Sequence, residues 1–236
     1  MASKNKAWEN RINTSRRRVP NRDIKNTFLI YCEGVNTEPE YFKSFPVTTE
    51  TEVIAIGLGR SCSALVEKII QLLEKDNYLE GQKEYDADRQ IWCVFDKDTK
   101  GNTHEDHDFN SAIELAHQHG IKTAYSNDAF ELWFVLHDRY LEGALHRSQY
   151  YEILSQKLGY NYVRYGKEKE YAQKLYAMFL KNQPVALKFA AKLHQSQKDL
   201  SPSQQNPCTL VYELVLALNT CLMQFGSKFK SNRLIF

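Results

Sequence analysis

The first part of the chain alternates short apolar runs with longer stretches whose apolar residues recur at helical spacing. The apolar runs fall at residues 28–32, 52–56, 91–95 and 121–125, and β-branched and aromatic side chains are frequent in them. Runs of this length predict short strands, and the most continuous of them predict strands that are buried on both faces of a sheet. The stripe of leucine, isoleucine and valine in residues 65–73 predicts a helix that packs against this sheet. The alternation predicts an α/β fold with four mostly parallel strands flanked by helices.

From Ser148 onwards the pattern changes to that of amphipathic helices. Helices are predicted over residues 150–158, 169–180, 185–194 and 210–223. The chain is therefore divided into three parts: a basic arm (1–26), an α/β domain (27–145), and a C-terminal helical region packed on that domain (146–236).

The overall composition indicates a globular protein in a reducing compartment. Hydrophobic residues make up 42% of the 236 residues, and no apolar run is long enough to span a bilayer. Residues 1–26 are polar and basic, which predicts that they do not form a secretory signal. The five cysteines lack a Cys-x-x-Cys spacing, which favours free thiols over disulfides or a zinc site. We therefore expect a cytoplasmic protein that does not bind a membrane.

Charge is distributed unevenly, although the formal net charge is only +2. Eight lysines and arginines lie in residues 1–26, among them Arg16, Arg17 and Arg18, against one aspartate and one glutamate. A basic arm of this kind suits a polyanionic substrate such as nucleic acid. A flexible solubilising tail explains the same composition, and the sequence leaves both interpretations open.

Two of the predicted strands end in acidic residues. Asp96 and Asp98 follow the apolar run at 91–95, and Glu33 follows the run at 28–32. A sheet interior excludes uncompensated carboxylates, so each strand should end where its acidic residue begins. Paired carboxylates at the ends of strands repel each other, and a hard cation such as Mg²⁺ would relieve that repulsion. An Asx-rich turn is the simpler alternative for residues 96–102.

A predicted helix over residues 129–137 is apolar on nearly all sides, so it must be deeply packed. Glu131 within this helix needs a basic residue, a hydrogen-bond donor or a cation as its partner, and His137 needs one less strongly. An internal Glu131–His137 pair is a serious alternative to a functional role. Asn127 precedes the helix, directly after a strand, on the sheet edge where ligands bind in open α/β folds.

Three further stretches have both a structural and a functional interpretation. Thr37 and Glu40 have the spacing of a capping box for a short helix. Arg60 follows a glycine pair before a helix and could contact a phosphate, although a tight turn is favoured there. Residues 104–108 are rich in histidine and acidic residues, and a solvated loop is favoured over a structural zinc site.

Tyrosines alternate with Arg164, Lys167 and Lys169 in residues 160–171. This interleaving of aromatic and basic residues could stack bases and hold phosphates. A packed helical face whose lysines extend to solvent explains the pattern equally well.

Taken together, the motifs resemble a known family. A glutamate after the first strand and Asp-x-Asp after a later hydrophobic strand resemble the Toprim fold of topoisomerases, primases and OLD-type nucleases. More closely, the chain resembles the RloB/AbiL family over residues 28–215. The matching segments are Glu33-Gly34, Thr37-Glu38-Pro39, Tyr41-Phe42, Phe95-Asp96-Lys97-Asp98, Ser126-Asn127, Phe130-Glu131-Leu132-Trp133, His137, Asn206-Pro207 and Thr209. Asp128 departs from the proline that is usual in this family, and an aspartate suits the start of a helix.

The resemblance implies a site and its cofactor. Glu33 would act as general acid/base or metal ligand, and Asp96 and Asp98 would hold Mg²⁺ or Mn²⁺. Glu131 would be a further catalytic carboxylate. The supporting residues would be Gly34, Thr37, Asn127, His137 and Asn206. Nucleic acid would contact Arg16, Arg17, Arg18, Arg60, Lys97, Arg164 and Lys167. Lys97 is expected either to point away from the aspartates beside it or to neutralise them in part.

The same resemblance implies a metal-dependent nuclease in phage defence that acts on RNA, with transfer RNA as one candidate, or on DNA. An ATPase of the RloA type would be its partner, and a homo-oligomer is also open. The alternative is a sensor or regulatory subunit that binds nucleic acid or a nucleotide without cleaving it. A primase-like activity is less favoured, because no companion domain is evident. Toprim membership does not choose among these functions, because a fold does not fix a function.

Overall fold

The computed structural model describes residues 26–47, 51–75, 89–98 and 103–231, with side chains described up to residue 221. The basic arm, including Arg16, Arg17 and Arg18, lies outside the described residues. The strands are β1 (Asn26–Cys32), β2 (Thr51–Gly57), β3 (Arg89–Asp96), β4 (Lys122–Asn127) and β5 (Cys208–Thr209). The α-helices are α1 (Thr37–Lys43), α2 (Cys62–Lys75), α3 (Thr103–Gln118), α4 (Glu131–Val135), α5 (Arg147–Leu158), α6 (Tyr162–Tyr165), α7 (Lys169–Phe179), α8 (Gln183–Ser196) and α9 (Val211–Ser231).

The described strands form one sheet in the order β2-β1-β3-β4-β5. The first four strands are parallel, as predicted, and β5 pairs antiparallel with β4 at the outer edge. Cys32 lies opposite Val94 on one side and opposite Gly57 on the other, so β1, β2 and β3 end at the same level. The residues that follow these strands therefore meet at one edge of the sheet.

Both faces of the sheet are covered, because side chains alternate along each strand. Phe28, Ile30, Trp92, Val94 and Ala124 face one core layer, which includes residues from α1, α4, α5, α7, α8 and α9. The next residues along the same strands, such as Leu29, Tyr31, Cys93, Phe95 and Tyr125, face the layer made by α2 and α3. The helical region thus shares one continuous apolar core with the sheet.

Several local predictions differ from the structure. The helix α3 begins at Thr103, so residues 104–108 form its first turns and not a solvated loop. Thr37 is the first helical residue of α1 and makes no capping hydrogen bond, because Asn36 stands at the cap position. The helix predicted over residues 129–137 is reduced to the short α4. The strand β5, a pair of residues, is too short to leave a hydrophobic pattern in the sequence.

No helix among the described residues is long and apolar enough to cross a membrane. The cysteines are free thiols, as predicted, and all but Cys62 are buried.

Candidate active site at the carboxyl edge of the sheet

A cleft of about 380 Å³ opens at the carboxyl ends of β1 and β3. Five carboxylates from separate turns and helices line it, and three basic residues lie on its other sides. The acidic residues are Glu33, Glu38, Asp96, Asp98 and Glu131, and the basic residues are Arg60, Arg147 and Lys167. The sequence therefore predicted the location of this cleft and most of its acidic residues.

Glu33 is held in place by the hydrogen bonds that continue the sheet beyond β1. Its backbone N–H donates to the carbonyl oxygen of Val94 (2.8 Å), and its own carbonyl oxygen accepts from the N–H of Gly59 (2.9 Å). Its carboxylate accepts from the backbone N–H of Asp96 (3.2 Å). Burial raises the pKa of Glu33 to about 7, against the lowering effect of this hydrogen bond. The nearby charge of Asp98 raises it further.

Glu38 reaches the cleft from α1 and is almost fully buried. Its carboxylate accepts from the backbone N–H of Gly34 (3.2 Å) and lies so close to that glycine that a methyl group on Gly34 would overlap it. Burial raises the pKa of Glu38 to about 7, and the charge of Glu131 adds to the shift. The Glu-Gly turn after β1 therefore places two carboxylates, Glu33 and Glu38, at the same cleft.

Asp96 and Asp98 have different surroundings although only one residue separates them. Burial raises the pKa of Asp96 well above its usual range, and the charges of Glu38 and Glu131 raise it further. Asp98 is exposed and forms an ion pair with Arg147. The positive charge needed to offset the two aspartates at this strand end is thus supplied in part by the guanidinium of Arg147.

Glu131 is buried at the start of α4 and accepts a hydrogen bond from the hydroxyl of Tyr162 (3.2 Å). Gly166 lies against the ring of Tyr162 so closely that no side chain fits there. Lys167 follows this glycine and lines the cleft. The alternative of an internal Glu131–His137 pair is not found among the described residues, because the Nδ1 atom of His137 bonds to the carbonyl oxygen of Trp133 (2.8 Å) and its Nε2 atom has no hydrogen-bond partner there.

The helical region supplies two basic residues to the cleft. Arg147 is the first residue of α5, and its Nη2 donates to the carboxylate of Asp98 and to the carbonyl oxygen of Asp128 (2.7 Å). The backbone carbonyl of Lys167 accepts from the side chain of Asn36 (2.9 Å), which ties this loop to the turn before α1. Burial alone would lower the pKa values of both basic groups, but the surrounding carboxylates raise them. Both side chains are therefore cations at neutral pH.

Of the other basic residues predicted to bind nucleic acid, Lys97 and Arg164 lie away from the cleft, whereas Arg60 lies at its rim. Lys97 is buried and pairs with Asp106 of α3 (2.8 Å), so it points away from the aspartates as expected and is not placed to contact a substrate in the cleft. Arg164 is exposed and covers the ring of Tyr165 at 4.9 Å, outside the cleft. Arg60 is exposed at the rim of the cleft, directly after the left-handed Gly59.

The supporting residues divide in the same way. Gly34 and Thr37 line the cleft, whereas Asn127, His137 and Asn206 are not among its lining residues. The side-chain amide of Asn127 donates to the carbonyl oxygen of Ser203 (3.2 Å), on the side of the sheet edge where β5 pairs. Asp128 does not cap α4; its carboxylate instead accepts from the backbone N–H of Arg147 (2.8 Å).

The donor set of the cleft fits a hard divalent cation. Among the described residues, no group of three or more His, Cys, Asp or Glu side chains is already arranged as metal ligands. The donors are nevertheless all carboxylate oxygens, which Mg²⁺ and Mn²⁺ prefer. The raised pKa values of Glu33, Glu38 and Asp96 express the free-energy cost of holding several negative charges together in a partly dry site. A cation would remove this cost, so the residues fit the ion that the resemblance implies.

Sequence reasoning missed two members of the site. Glu38 is named only within the Thr37-Glu38-Pro39 segment of the resemblance and receives no role, although it lies four residues after Gly34, close enough to return to the Glu-Gly turn. Arg147 gave no signal, because its position beside Asp98 depends on how α5 packs against α4 and the turn at Asp128.

The chain was compared with protein families, curated proteins and solved structures. The model of the family described as RloB-like protein matches residues 28–218, which span the sheet, the cleft and most of the helical region. No curated protein and no solved structure matches the chain. Because the family match covers most of the chain and includes every carboxylate of the cleft, the protein belongs to the RloB-like family.

Proposed function

We propose that this RloB-like protein is a Toprim-type nuclease that requires Mg²⁺ or Mn²⁺ and acts in anti-phage defence. The observation that carries the proposal is the convergence of five carboxylates, with two cations opposite them, on one cleft at the carboxyl edge of a parallel sheet. This edge is the usual ligand site of open α/β folds. A scaffold that only binds a partner has no use for so many crowded carboxylates.

The residues divide into two chemical roles. Glu33, Asp96 and Asp98 would hold the cation, with Glu38 and Glu131 as additional carboxylates beside them. Such a cation, when bound, neutralises charge on a phosphodiester and lowers the pKa of coordinated water. Arg147 and Lys167 would bind the phosphate backbone of the substrate, and both lie within the cleft. A phosphodiester in this cleft would therefore lie between a carboxylate wall and a cationic wall.

Glu33 is the residue best suited to proton transfer. A carboxyl group with a pKa of about 7 exists in both protonation states near neutral pH, as a general acid or base requires. Its backbone is fixed on both sides by the sheet and by the loop after β2, so its position does not depend on a mobile segment. Glu33 can also ligate a cation, in which case its proton is displaced.

A second candidate function is favoured by one contact. The bond between Arg147 and Asp98 leaves that carboxylate satisfied without a metal, as in a site that binds nucleic acid or a nucleotide without cleaving it. The partner for either function would be nucleic acid, together with an ATPase of the RloA type, as the family resemblance implies. RNA and DNA remain alternatives.

A cleavage assay on the full chain tests the proposal. Total tRNA, single-stranded RNA, supercoiled DNA and linear DNA are each incubated with Mg²⁺, Mn²⁺ or EDTA. The Asp96→Ala/Asp98→Ala variant removes two cleft carboxylates, and Asp138→Asn is the control, because Asp138 pairs with Lys157 outside the cleft.

We expect one substrate class to be cleaved by the wild type and by Asp138→Asn, with no cleavage in EDTA or by the double variant. Cleavage by a folded double variant would refute the assignment of the site. If no substrate is cleaved even after an RloA-type ATPase is added, the binding function is supported instead.

A further inference from the structure

Arg147 contacts two aspartates of very different character. Its Nη2 donates to the side chain of Asp98, and the same atom contacts the carbonyl oxygen (2.7 Å) and one carboxylate oxygen (3.4 Å) of Asp128. The backbone N–H of Arg147 also donates to the second carboxylate oxygen of Asp128 (2.8 Å). The arginine is therefore attached to Asp128 through both backbone and side chain, and to Asp98 through the side chain alone.

The contacts of Arg147 with Asp98 and with Asp128 should differ in how easily another ligand can replace them. The side chain of Asp128 is 3% exposed, whereas that of Asp98 is 48% exposed. A solvent-exposed ion pair contributes little free energy, because water and salt compete with it. The contact with Asp98 can therefore be exchanged for another ligand, while the contacts with Asp128 keep the guanidinium at the cleft.

The guanidinium also has capacity for a ligand. All of its contacts to the two aspartates pass through Nη2, and among the described residues Nε and Nη1 have no hydrogen-bond partner. A guanidinium presents five N–H groups in a plane, and two neighbouring nitrogens, Nη2 with either Nε or Nη1, match two oxygens of a phosphate once Nη2 no longer holds Asp98. With its side chain 25% exposed, Arg147 can offer these donors to a phosphodiester in the cleft.

We propose that Arg147 exchanges partners in this cleft: it holds Asp98 until a divalent cation takes that carboxylate, and it then binds the substrate phosphate beside Lys167. This inference rests on the proposed function, since it assigns the substrate phosphate and the cation to the same cleft. When a cation takes Asp98, the guanidinium is freed for phosphate; when phosphate takes the guanidinium, Asp98 is freed for the cation. The two ligands should then bind with positive coupling, which is reciprocal by thermodynamic necessity.

A double-mutant cycle on cation binding tests the contact with Asp98. Mn²⁺ binding is measured by isothermal titration calorimetry on the full chain without nucleic acid. We expect Arg147→Gln to bind Mn²⁺ about three- to tenfold more tightly, because Asp98 no longer has a competing partner. In the Asp98→Asn background the same substitution should give no such gain.

Lys167→Gln is the matched control, since it removes a positive charge from the same cleft without touching the ion pair of Asp98. If Arg147→Gln gives an equal gain with and without Asp98, the arginine acts only through long-range charge and the exchange is refuted. No gain in either background also refutes it.

The phosphate side is tested by fluorescence anisotropy with labelled single-stranded DNA and RNA oligonucleotides, in EDTA. We expect Arg147→Gln to weaken binding about tenfold, the usual loss when one charge-assisted hydrogen bond is removed. Arg147→Lys should weaken binding less, because it keeps the charge but loses the planar fork. Circular dichroism melts confirm that each variant is folded, and the lysine variant provides the test if the glutamine variant is not.

Asp98→Asn should tighten oligonucleotide binding, and this gain should shrink in the Arg147→Gln background, since part of it depends on freeing the guanidinium. Unchanged binding by Arg147→Gln would overturn the proposal. Both cycles measure binding and not cleavage. A protein that never cleaves would still display them, whereas a nuclease without them would keep the proposed function and lose only this role of Arg147.

Discussion

The α/β domain supplies all five carboxylates of the cleft, whereas the helical region supplies two of its three basic residues. The carboxylates come from the sheet edge and the helices next to it: Glu33 directly follows β1, Asp96 is the last residue of β3, Glu38 lies on α1, and Glu131 lies on α4. The basic residues Arg147 and Lys167 come from the start of α5 and the loop before α7. The α/β domain therefore gives the cleft an excess of negative charge. The helical region supplies most of the positive charge that offsets it.

The two regions also position their side chains by different means. Glu33 and Asp96 are fixed by the sheet, since the backbone N–H of Asp96 donates to Glu33 and that of Glu33 donates to Val94. Arg147 and Lys167 are fixed by long-range contacts with Asp128 and Asn36. The positions of Glu33 and Asp96 are thus set by the hydrogen bonds of the sheet. The positions of Arg147 and Lys167 depend instead on how the helices pack. We therefore expect damage to the acidic side to abolish chemistry, and damage to the basic side to change affinity.

The largest expected effect is that of Asp96→Asn, which removes a strand-end carboxylate with little change of shape. Cation-dependent cleavage should fall on the order of a thousandfold. The melting temperature in EDTA should stay the same or rise, because the strongly raised pKa of Asp96 means that the folded protein disfavours its charged form, and asparagine carries no charge. Initial cleavage rates and circular dichroism melts measure the two effects. Retained cleavage would show that the acidic side is not the catalytic side.

A smaller effect is expected from Glu38→Gln, which tests whether α1 belongs to the acidic side. The glutamine can still accept from the N–H of Gly34, so we expect the fold to persist and cleavage to fall about a hundredfold. The control is Glu40→Gln on the same helix, because Glu40 bonds to Lys43 and Gln173 and does not line the cleft. Equal rates for the two variants would remove Glu38 from the site.

The crowding of carboxylates also predicts how the stability of the metal-free protein depends on pH. Glu33 has a pKa of about 7 in the native state and an ordinary value near 4.5 when unfolded. Between these values the native state binds more protons, so the free energy of unfolding falls as the pH rises. Across this window the contribution of Glu33 should fall by about 2 to 3 kcal/mol. Urea denaturation in EDTA, for the wild type and Glu33→Gln, measures it as the difference in pH slope.

Glu40→Gln gives the opposite sign and serves as the control for that measurement. Burial alone would raise the pKa of Glu40, but hydrogen bonds from Lys43 and Gln173 lower it. Its stabilising contribution is therefore present above its unfolded pKa and is lost as the pH falls. If Glu33→Gln leaves the pH slope unchanged, burial and the neighbouring charge of Asp98 do not raise the pKa of Glu33 as inferred.

The smallest effect is expected from Gly34→Ala. This variant tests how closely the turn after β1 packs against the carboxylate of Glu38 on α1. The added methyl group would overlap the carboxylate of Glu38, which can rotate away at small cost in stability. We expect cleavage to fall about tenfold, since the displaced carboxylate is among those surrounding Asp96. Gly143→Ala, whose methyl group would meet no atom within 4 Å, controls for a general effect of alanine. Equal activity of both variants would show that the position of Glu38 is not critical.

Local pattern was sufficient for the sheet and for much of the acidic side. Four runs of apolar residues gave the four parallel strands, because each run is just long enough to be buried and ends at a polar residue. The carboxyl ends of parallel strands share one edge, so Glu33 and Asp96 were expected to meet and do line the same cleft. The boundaries of α1, α3 and α4 were less accurate, since the interactions at helix ends depend on neighbours that the sequence does not reveal.

The sequence by itself determined the α/β architecture, the family and the edge where the carboxylates collect. The architecture and the position of the carboxylates depend on the spacing of apolar residues along the chain. They also depend on the high free-energy cost of placing a charge inside a buried strand. Only the tertiary structure decided that Glu38 enters the cleft, that Asp106 is the partner of Lys97, and that Arg147 lies between Asp98 and Asp128. These contacts join residues far apart in the chain or on opposite sides of a strand, and no local pattern encodes the packing of helices that brings them together.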